Sequence, residues 1–223
     1  MPIFATRPGK SVVASASKNI SGEEIIQHQT SSARSVPRLA ATVVSDTRAG
    51  KGISFRSPVP TDGSLISALI AECPPLDTNS MYCNLLQCSD FADTCVVAER
   101  SGAIVGWVSG YRPPAKEDRV FVWQVAVSEA ARGEGLGGRM LDALIERPAL
   151  QGVLSLTTTI TDDNAASWAL FESFARRHDA TLRRTPRFEC ERHFGGAHDT
   201  EWEARIGPLP TAYRKLSETR ELI

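Results

Sequence analysis

One stretch of the chain constrains its fold more than any other. Val120 to Val127 is an almost unbroken run of β-branched, aromatic and apolar residues. It leads into Ser128-Glu-Ala-Ala-Arg-Gly-Glu-Gly-Leu-Gly-Gly138, after which Leu136, Met140, Leu141, Leu144 and Ile145 recur at helical spacing and stop before Pro148. A run of that composition reads as a strand buried on both faces, and the segment after it reads as a glycine-rich turn opening an amphipathic helix. A second apolar run, Val153 to Thr159, comes next. Two strands joined through a helix can lie parallel with a crossover between them, so the chain is α/β.

The flanking segments fit a single domain. Ile53-Ser-Phe55 reads as a short strand, and Thr61 or Asp62 as the cap of a helix through Leu65, Ile66, Leu69 and Ile70 that ends at Cys73-Pro74-Pro75. Asn79 or Ser80 caps a second helix. Thr94 to Glu99 and Ala103 to Tyr111 form a hairpin around Ser101-Gly102. Asp162-Asp-Asn164 caps a helix with the face Trp168, Phe171, Phe174 and Ala175. Beyond Ala180, strands are expected near Leu182 and at Trp202 to Ile206, separated by a loop from His193 to Thr200. Residues 1–50 hold eight Ser, four Thr, one aromatic residue and six basic against three acidic residues, a composition that buries little apolar surface. The expected organisation is a mobile arm at 1–50, one domain at 51–210 and a short tail at 211–223.

Several function classes are disfavoured. A formal charge of −1 with no long basic stripe gives little pull on nucleic acid, whose binding needs clustered Lys or Arg. No apolar run approaches the roughly 18 residues of a membrane span, and the first residues are too polar for a secretory leader, so no membrane partner and a cytoplasmic location are expected. The five cysteines, Cys73, Cys83, Cys88, Cys95 and Cys190, contain no C-x-x-C pair and read as reduced thiols. Cys190, His193 and His198 lack a fourth soft ligand at sensible spacing, so no metal is expected.

A helix that starts directly after a buried strand presents free N–H groups and the positive end of its dipole, and glycines let an anion approach the backbone. A phosphate-bearing ligand therefore belongs at residues 132–138. A nucleotide P-loop would need Lys and a hydroxyl residue at the helix start, where this chain has Gly138-Arg139-Met140. Gly133-x-Gly135-x-x-Gly138 matches the dinucleotide pattern formally, but that fold needs an acidic residue on the ribose about 20 residues on, and none stands between Glu146 and Asp162. Arg132-x-x-Gly135-x-Gly137 resembles the pyrophosphate-gripping pattern [RQ]-x-x-G-x-[GA] of the GNAT N-acetyltransferases. The order of Val125-Ala126-Val127, turn, helix, strand and Asn164 to Phe171 is similar to that family too. The resemblance implies a mixed, mostly antiparallel sheet with helices on both faces. It also implies acetyl-CoA as co-substrate, held by Val125, Ala126, Val127, Arg132, Gly133, Gly135, Leu136, Gly137 and Asn164, with the strand before the turn bulged and splayed from its neighbour.

A narrower resemblance rests on Cys73-Pro-Pro-Leu-Asp-Thr-Asn-Ser-Met-Tyr82, Val105-Gly-Trp-Val-Ser-Gly-Tyr111, Phe121-Val-Trp-Gln-Val-Ala-Val127, Arg132-Gly-Glu-Gly-Leu136, Thr158-Thr-Ile-Thr161, Gly195-Gly-Ala-His-Asp199 and Arg205-Ile-Gly-Pro208. These stretches resemble the L-2,4-diaminobutyric acid acetyltransferases of ectoine biosynthesis, which implies acetylation of the γ-amine of a small diamino acid by a homodimeric enzyme. Such an acceptor needs a carboxylate for an ammonium, an aromatic wall and a base. Asp77, Trp123, Tyr82, His198 and Glu201 supply that set, with Tyr82 orienting the substrate and either His198 or Glu201 as the base. Histidine has the more suitable ordinary pKa, whereas a glutamate needs burial to raise its own. The chain departs from the family at Thr157, where the resemblance leads one to expect glutamate at the cleft, and at Phe171, where many members carry tyrosine. Another small amine or a protein N-terminus as acceptor, and a non-catalytic sensor of acetyl-CoA, are the alternative readings.

Overall fold

In the computed structural model, which describes residues 52–210, the run Val120 to Val127 lies within β4 (Arg119–Val127), the middle strand of a seven-stranded sheet. The other strands are β1 (Ile53–Arg56), β2 (Val96–Arg100), β3 (Ala103–Tyr111), β5 (Ser155–Ile160), β6 (Thr181–Phe188) and β7 (Glu201–Gly207), in the order β1-β2-β3-β4-β5-β7-β6. Only β4 and β5 pair in parallel, and the other neighbours are antiparallel. The helices are α1 (Gly63–Ala71), α2 (Met81–Ser89), α3 (Leu136–Ile145), α4 (Ala165–Arg177) and the short α5 (Cys190–Phe194). The expected arm at 1–50 and tail at 211–223 lie outside the described residues.

The sheet is covered on both faces. Met140, Leu141 and Leu144 of α3, with Phe171 and Phe174 of α4, pack on Val108, Val122, Leu156 and Ile206. On the other face Ile66, Leu69 and Ile70 of α1 pack on Val97, Trp107 and Ala126. Full burial of each such side chain contributes about 1.5–3 kcal/mol. The β2–β3 turn has Ser101 at φ 51° and Gly102 at φ 80°, the double left-handed conformation whose twist matches a two-residue hairpin. Arg184 stacks on both Trp168 of α4 and Trp202 of β7 and pairs with Asp162, which fastens the last two strands to the domain.

Local caps are decided by distant partners. Ser80 caps α2, accepting from Cys83 N (3.1 Å), while the amide of Asn79 reaches Gln124 of β4. The Asp62 side chain makes no cap bond, because Arg56 grips its carboxylate at 2.6 and 3.0 Å and Val59 N–H donates to it at 2.8 Å. Burial works to raise the Asp62 pKa, but Arg56 and the Val59 amide outweigh it and hold the group below its ordinary 3.8. Arg56 also reaches Glu99 of β2, tying the domain entrance to the sheet.

Two sequence expectations need correction. β4 is not buried on both faces throughout: Trp123 is 50% exposed, and Val125 and Val127 are half-buried. Beyond Phe121 the strand has no partner on its β5 side, which opens one face. The expected loop from His193 to Thr200 starts inside α5, a single turn closed by Gly195 at φ 59°, too short to leave a periodic signal. The edges of the sheet are unlike its centre. β1 has four residues, and β6 carries Pro186, a register break between Pro186 and Phe188, and Arg183, Arg184 and Arg187.

Candidate active site

β4 and β5 pair only over Arg119–Phe121 and Ser155–Thr157 and then diverge. On the other side of β4 the register with β3 jumps from Ser109↔Gln124 to Gly110↔Val122, so Trp123 is the extra residue of a bulge. The divergence opens a groove of about 1100 Å³ that runs from the Cys73–Asp77 loop, along β4, to the starts of α3 and α4. It is large enough for a coenzyme-sized ligand and a small second molecule.

One end of the groove is built from backbone. Ala131 is fully buried and anchors the turn, after which Gly133 and Gly135 adopt φ +77° and +69°, left-handed conformations strained for other residues. Nothing lies within 4 Å of where a Cβ would sit at either position, so the backbone there faces open space. A Cβ at Gly138 would meet the Arg177 guanidinium at 3.0 Å, so this glycine serves the close approach of α3 to α4. The free N–H groups of the ten-residue α3, with its positive dipole end, suit a pyrophosphate. Val125, Val127, Arg132, Gly133, Gly135, Leu136, Gly137 and Asn164 all line this groove. The Ala126 side chain packs instead against the opposite face with Trp107, so only its backbone is available to a ligand. Asn164 caps α4, its Oδ1 accepting from Ser167 N at 3.0 Å.

The other end is built from side chains of distant segments. Asp77, Trp123, His198 and Glu201 line the same groove, and Trp123 meets Tyr111 edge-on at 6.5 Å. Tyr82 is not with them: it is 70% exposed in the first turn of α2, where the helix turns its ring away from the groove lining. His198 Nε2 lies 3.9 Å from Glu201 Oε1, and its Nδ1 is 2.8 Å from the Asp199 carbonyl. A carbonyl only accepts, so Nδ1 carries the hydrogen and, in the neutral ring, Nε2 keeps its lone pair on the Glu201 side. The ring leans on Phe194 of α5, 4.7 Å away.

Position 157 is also not at the groove. Thr157 is 2% exposed, donates to Val120 O at 3.3 Å and pairs in register with Arg205, while Thr158, Thr159 and Thr161 line the cleft. Cys73 is on the groove and links its two ends. Its thiol donates to Val127 O at 3.4 Å, and Arg132 Nη2 lies 3.9 Å from the sulfur. None of the five thiols is in a disulfide, and burial pushes Cys88 up to about 11 and Cys95 up to about 12, leaving both protonated. Gln124 is the groove residue that sequence reasoning misses. Its signal is being the one polar side chain within Val120 to Val127.

Residues 65–175 match the acetyltransferase (GNAT) family. The chain is 49% identical over 157 residues to the L-2,4-diaminobutyric acid acetyltransferase of Methylotuvimicrobium alcaliphilum, covering 70% of this chain and 91% of that one. It is 46% identical over 177 residues to the enzyme of the same name from Halomonas elongata, covering 78% and 92%. The diaminobutyrate acetyltransferase of Paenibacillus lautus, solved with L-2,4-diaminobutyric acid and coenzyme A, superposes with a TM-score of 0.68 at 36% identity, covering 71% of this chain and 96% of that one. On sequence, fold and groove together, the chain belongs to the GNAT acetyltransferases, within the group of the L-2,4-diaminobutyric acid acetyltransferases.

Proposed function

We propose that the chain transfers the acetyl group of acetyl-CoA to the γ-amine of L-2,4-diaminobutyrate, giving 4-acetamido-2-aminobutanoate for ectoine synthesis, by direct attack in a ternary complex. One observation carries the reading: a glycine cradle at the start of α3 and a carboxylate, indole and imidazole set share one groove, in a chain 36% identical to a protein solved with diaminobutyrate and coenzyme A. Bound there, acetyl-CoA supplies an activated acyl carbon.

The chain's residues do the remainder. Arg132 and the amides after Gly133 and Gly135 hold the pyrophosphate, and Asn164 offers its amide nitrogen to the pantetheine arm. The Trp123 bulge leaves a backbone N–H outside the β3 ladder, a preorganised donor for charge that develops on the carbonyl oxygen. Asp77 binds an ammonium of the acceptor, and the Trp123 ring walls off water. His198 Nε2 takes the proton of the attacking amine as the new N–C bond forms and the C–S bond breaks, and Glu201, 3.9 Å away, stabilises the imidazolium. Phe171 has no hydroxyl, so the leaving thiolate takes its proton from solvent. Tyr82, exposed on α2, lies outside the groove lining.

The enzyme acts as a cytoplasmic homodimer in osmoprotection on this reading. Exposed Leu65, Met81, Tyr82 and Leu85 on α1 and α2 support self-association, since apolar side chains gathered on a surface mark contact sites. Mass spectrometry of products after mixing the protein with acetyl-CoA and a panel of diaminobutyrate, ornithine, lysine, polyamines and short peptides tests the function. Exclusive γ-acetylation of diaminobutyrate is expected. Preference for another amine overturns the acceptor, and acetyl-CoA binding without product favours a sensor.

A further inference from the structure

Beneath the acceptor end of the groove lies a buried polar kernel that the proposed chemistry does not use. Gln124 of β4 is 6% exposed; Ser109, its partner in the β3 register, and Asn84, joined to it through Asn79, are 0–1% exposed, and Gln87, one turn on from Asn84 in α2, is 3% exposed. Burying amides in such a place costs stability unless their hydrogen bonds are made. Here the satisfaction is incomplete: Asn84 Nδ2, Gln87 Oε1 and Ser109 Oγ have no partner among the described residues. Gln124, by contrast, is engaged at both ends. Its Nε2 donates to the Asp77 carbonyl at 2.7 Å, and its Oε1 accepts from Asn79 Nδ2 at 2.7 Å, the same amide that reaches Asn84 Oδ1 at 3.2 Å.

We infer that Gln124 is a positioning residue for the acceptor amine: it clamps the segment Asp77 to Asn79 onto the strand whose bulge faces the thioester. The inference rests on the assignment of Asp77 to the acceptor. Gln124 is the neighbour of the bulged Trp123 and pairs with Ser109 at the register break, so it joins the ammonium-binding loop to the bulge. Its two bonds hold the Asp77 carbonyl and the Asn79 side chain, on either side of Thr78, and so set the distance from Asp77 to β4. That explains why a polar side chain interrupts an otherwise apolar central strand. It also explains why Asn79 leaves the capping of α2 to Ser80.

The test replaces Gln124 by methionine, of similar length and apolar, and measures both Michaelis constants with the amine that the wild-type enzyme acetylates. Loss of two buried hydrogen bonds to the loop is expected to raise the amine KM about tenfold or more while the acetyl-CoA KM stays within about twofold. The thermal midpoint is expected to fall by only a few degrees, because the Asp77 carbonyl lies on an exposed loop and can turn to solvent. Asn79→Ala, on a surface segment, is expected to raise the amine KM in the same direction. Combined with Gln124→Met it should add less than its separate effect, since the two residues share one bond. Equal rises in both KM values, an amine KM that does not move in a folded Gln124→Met protein, or multiplicative effects in the double variant would overturn the proposal.

Discussion

The two ends of the groove are made in different ways. The cofactor end is consecutive backbone: one strand, one turn and one helix within residues 119–145, shaped by two left-handed glycines. The end proposed for the acceptor is lined by side chains at positions 77, 123, 198 and 201, and Gln124 ties the loop of position 77 to β4 through hydrogen bonds that span 45 and 47 residues. A site made of main chain accepts a wide range of side chains and keeps its ligand. A site made of side chains changes its ligand with few substitutions.

The sharpest way to break this division is at the cradle. Gly135→Glu forces a side chain onto a left-handed backbone, which costs about 1–2 kcal/mol, and places a carboxylate where a pyrophosphate is expected. Activity should fall at least about 100-fold with acetyl-CoA binding lost, as removal of one preorganised donor site does elsewhere, and calorimetry with coenzyme A checks it. His198→Ala should lower kcat by about 10²–10⁴ with little change in acetyl-CoA binding, and Glu201→Gln less. The reverse order would make Glu201 the base. Asp77→Ala should raise the diaminobutyrate KM by about 10- to 100-fold, the worth of a charged hydrogen bond, and leave the acetyl-CoA KM in place. If both constants move together, the ends are not separable.

Two further changes should fall outside either end. Asp62→Asn removes the Arg56 pair, in which Asp62 is only 5% exposed, and should cost about 2–3 kcal/mol in denaturant unfolding with both KM values unchanged. Because the folded pKa of Asp62 is depressed, its contribution is fully present above the ordinary 3.8 and is lost as pH falls through the lower folded value. The wild type should therefore lose stability over that acid range, and the variant should lose less. Thr157→Glu sets a carboxylate opposite Arg205 and away from the cleft. It should cost about 1–3 kcal/mol of stability, through burial of a carboxylate and loss of the bond to Val120 O, and change the diaminobutyrate KM by less than about fivefold.

Legibility divides along the same line. The strand, turn and helix that form the cradle are readable because their signals are adjacent: an apolar run, glycines and a 3.6-residue spacing. His198 and Glu201 are readable as neighbours because they stand three positions apart. The full burial expected of β4 fails because its exposure is set by divergence from β5, a property of two strands and not of one. The choice of Ser80 over Asn79 as the cap of α2 turns on Gln124, 45 residues away, and no local rule contains it. Tyr82 shows the converse. A tyrosine within a matching stretch suggests a groove residue, yet helix geometry turns it outward. The resemblance puts position 157 at the cleft, but Thr157 is the last residue of β5 still paired with β4, and the cleft opens only from Thr158 onward.

The edges of the sheet bear on how copies of the chain can associate. An exposed strand edge is a template on which another chain can pair. Here one edge, β1, offers four residues, and the other, β6, is interrupted by a proline without an N–H, a register break and three arginines. Neither edge supports a continuing ladder. Crowded copies are thereby steered away from open-ended strand stacking.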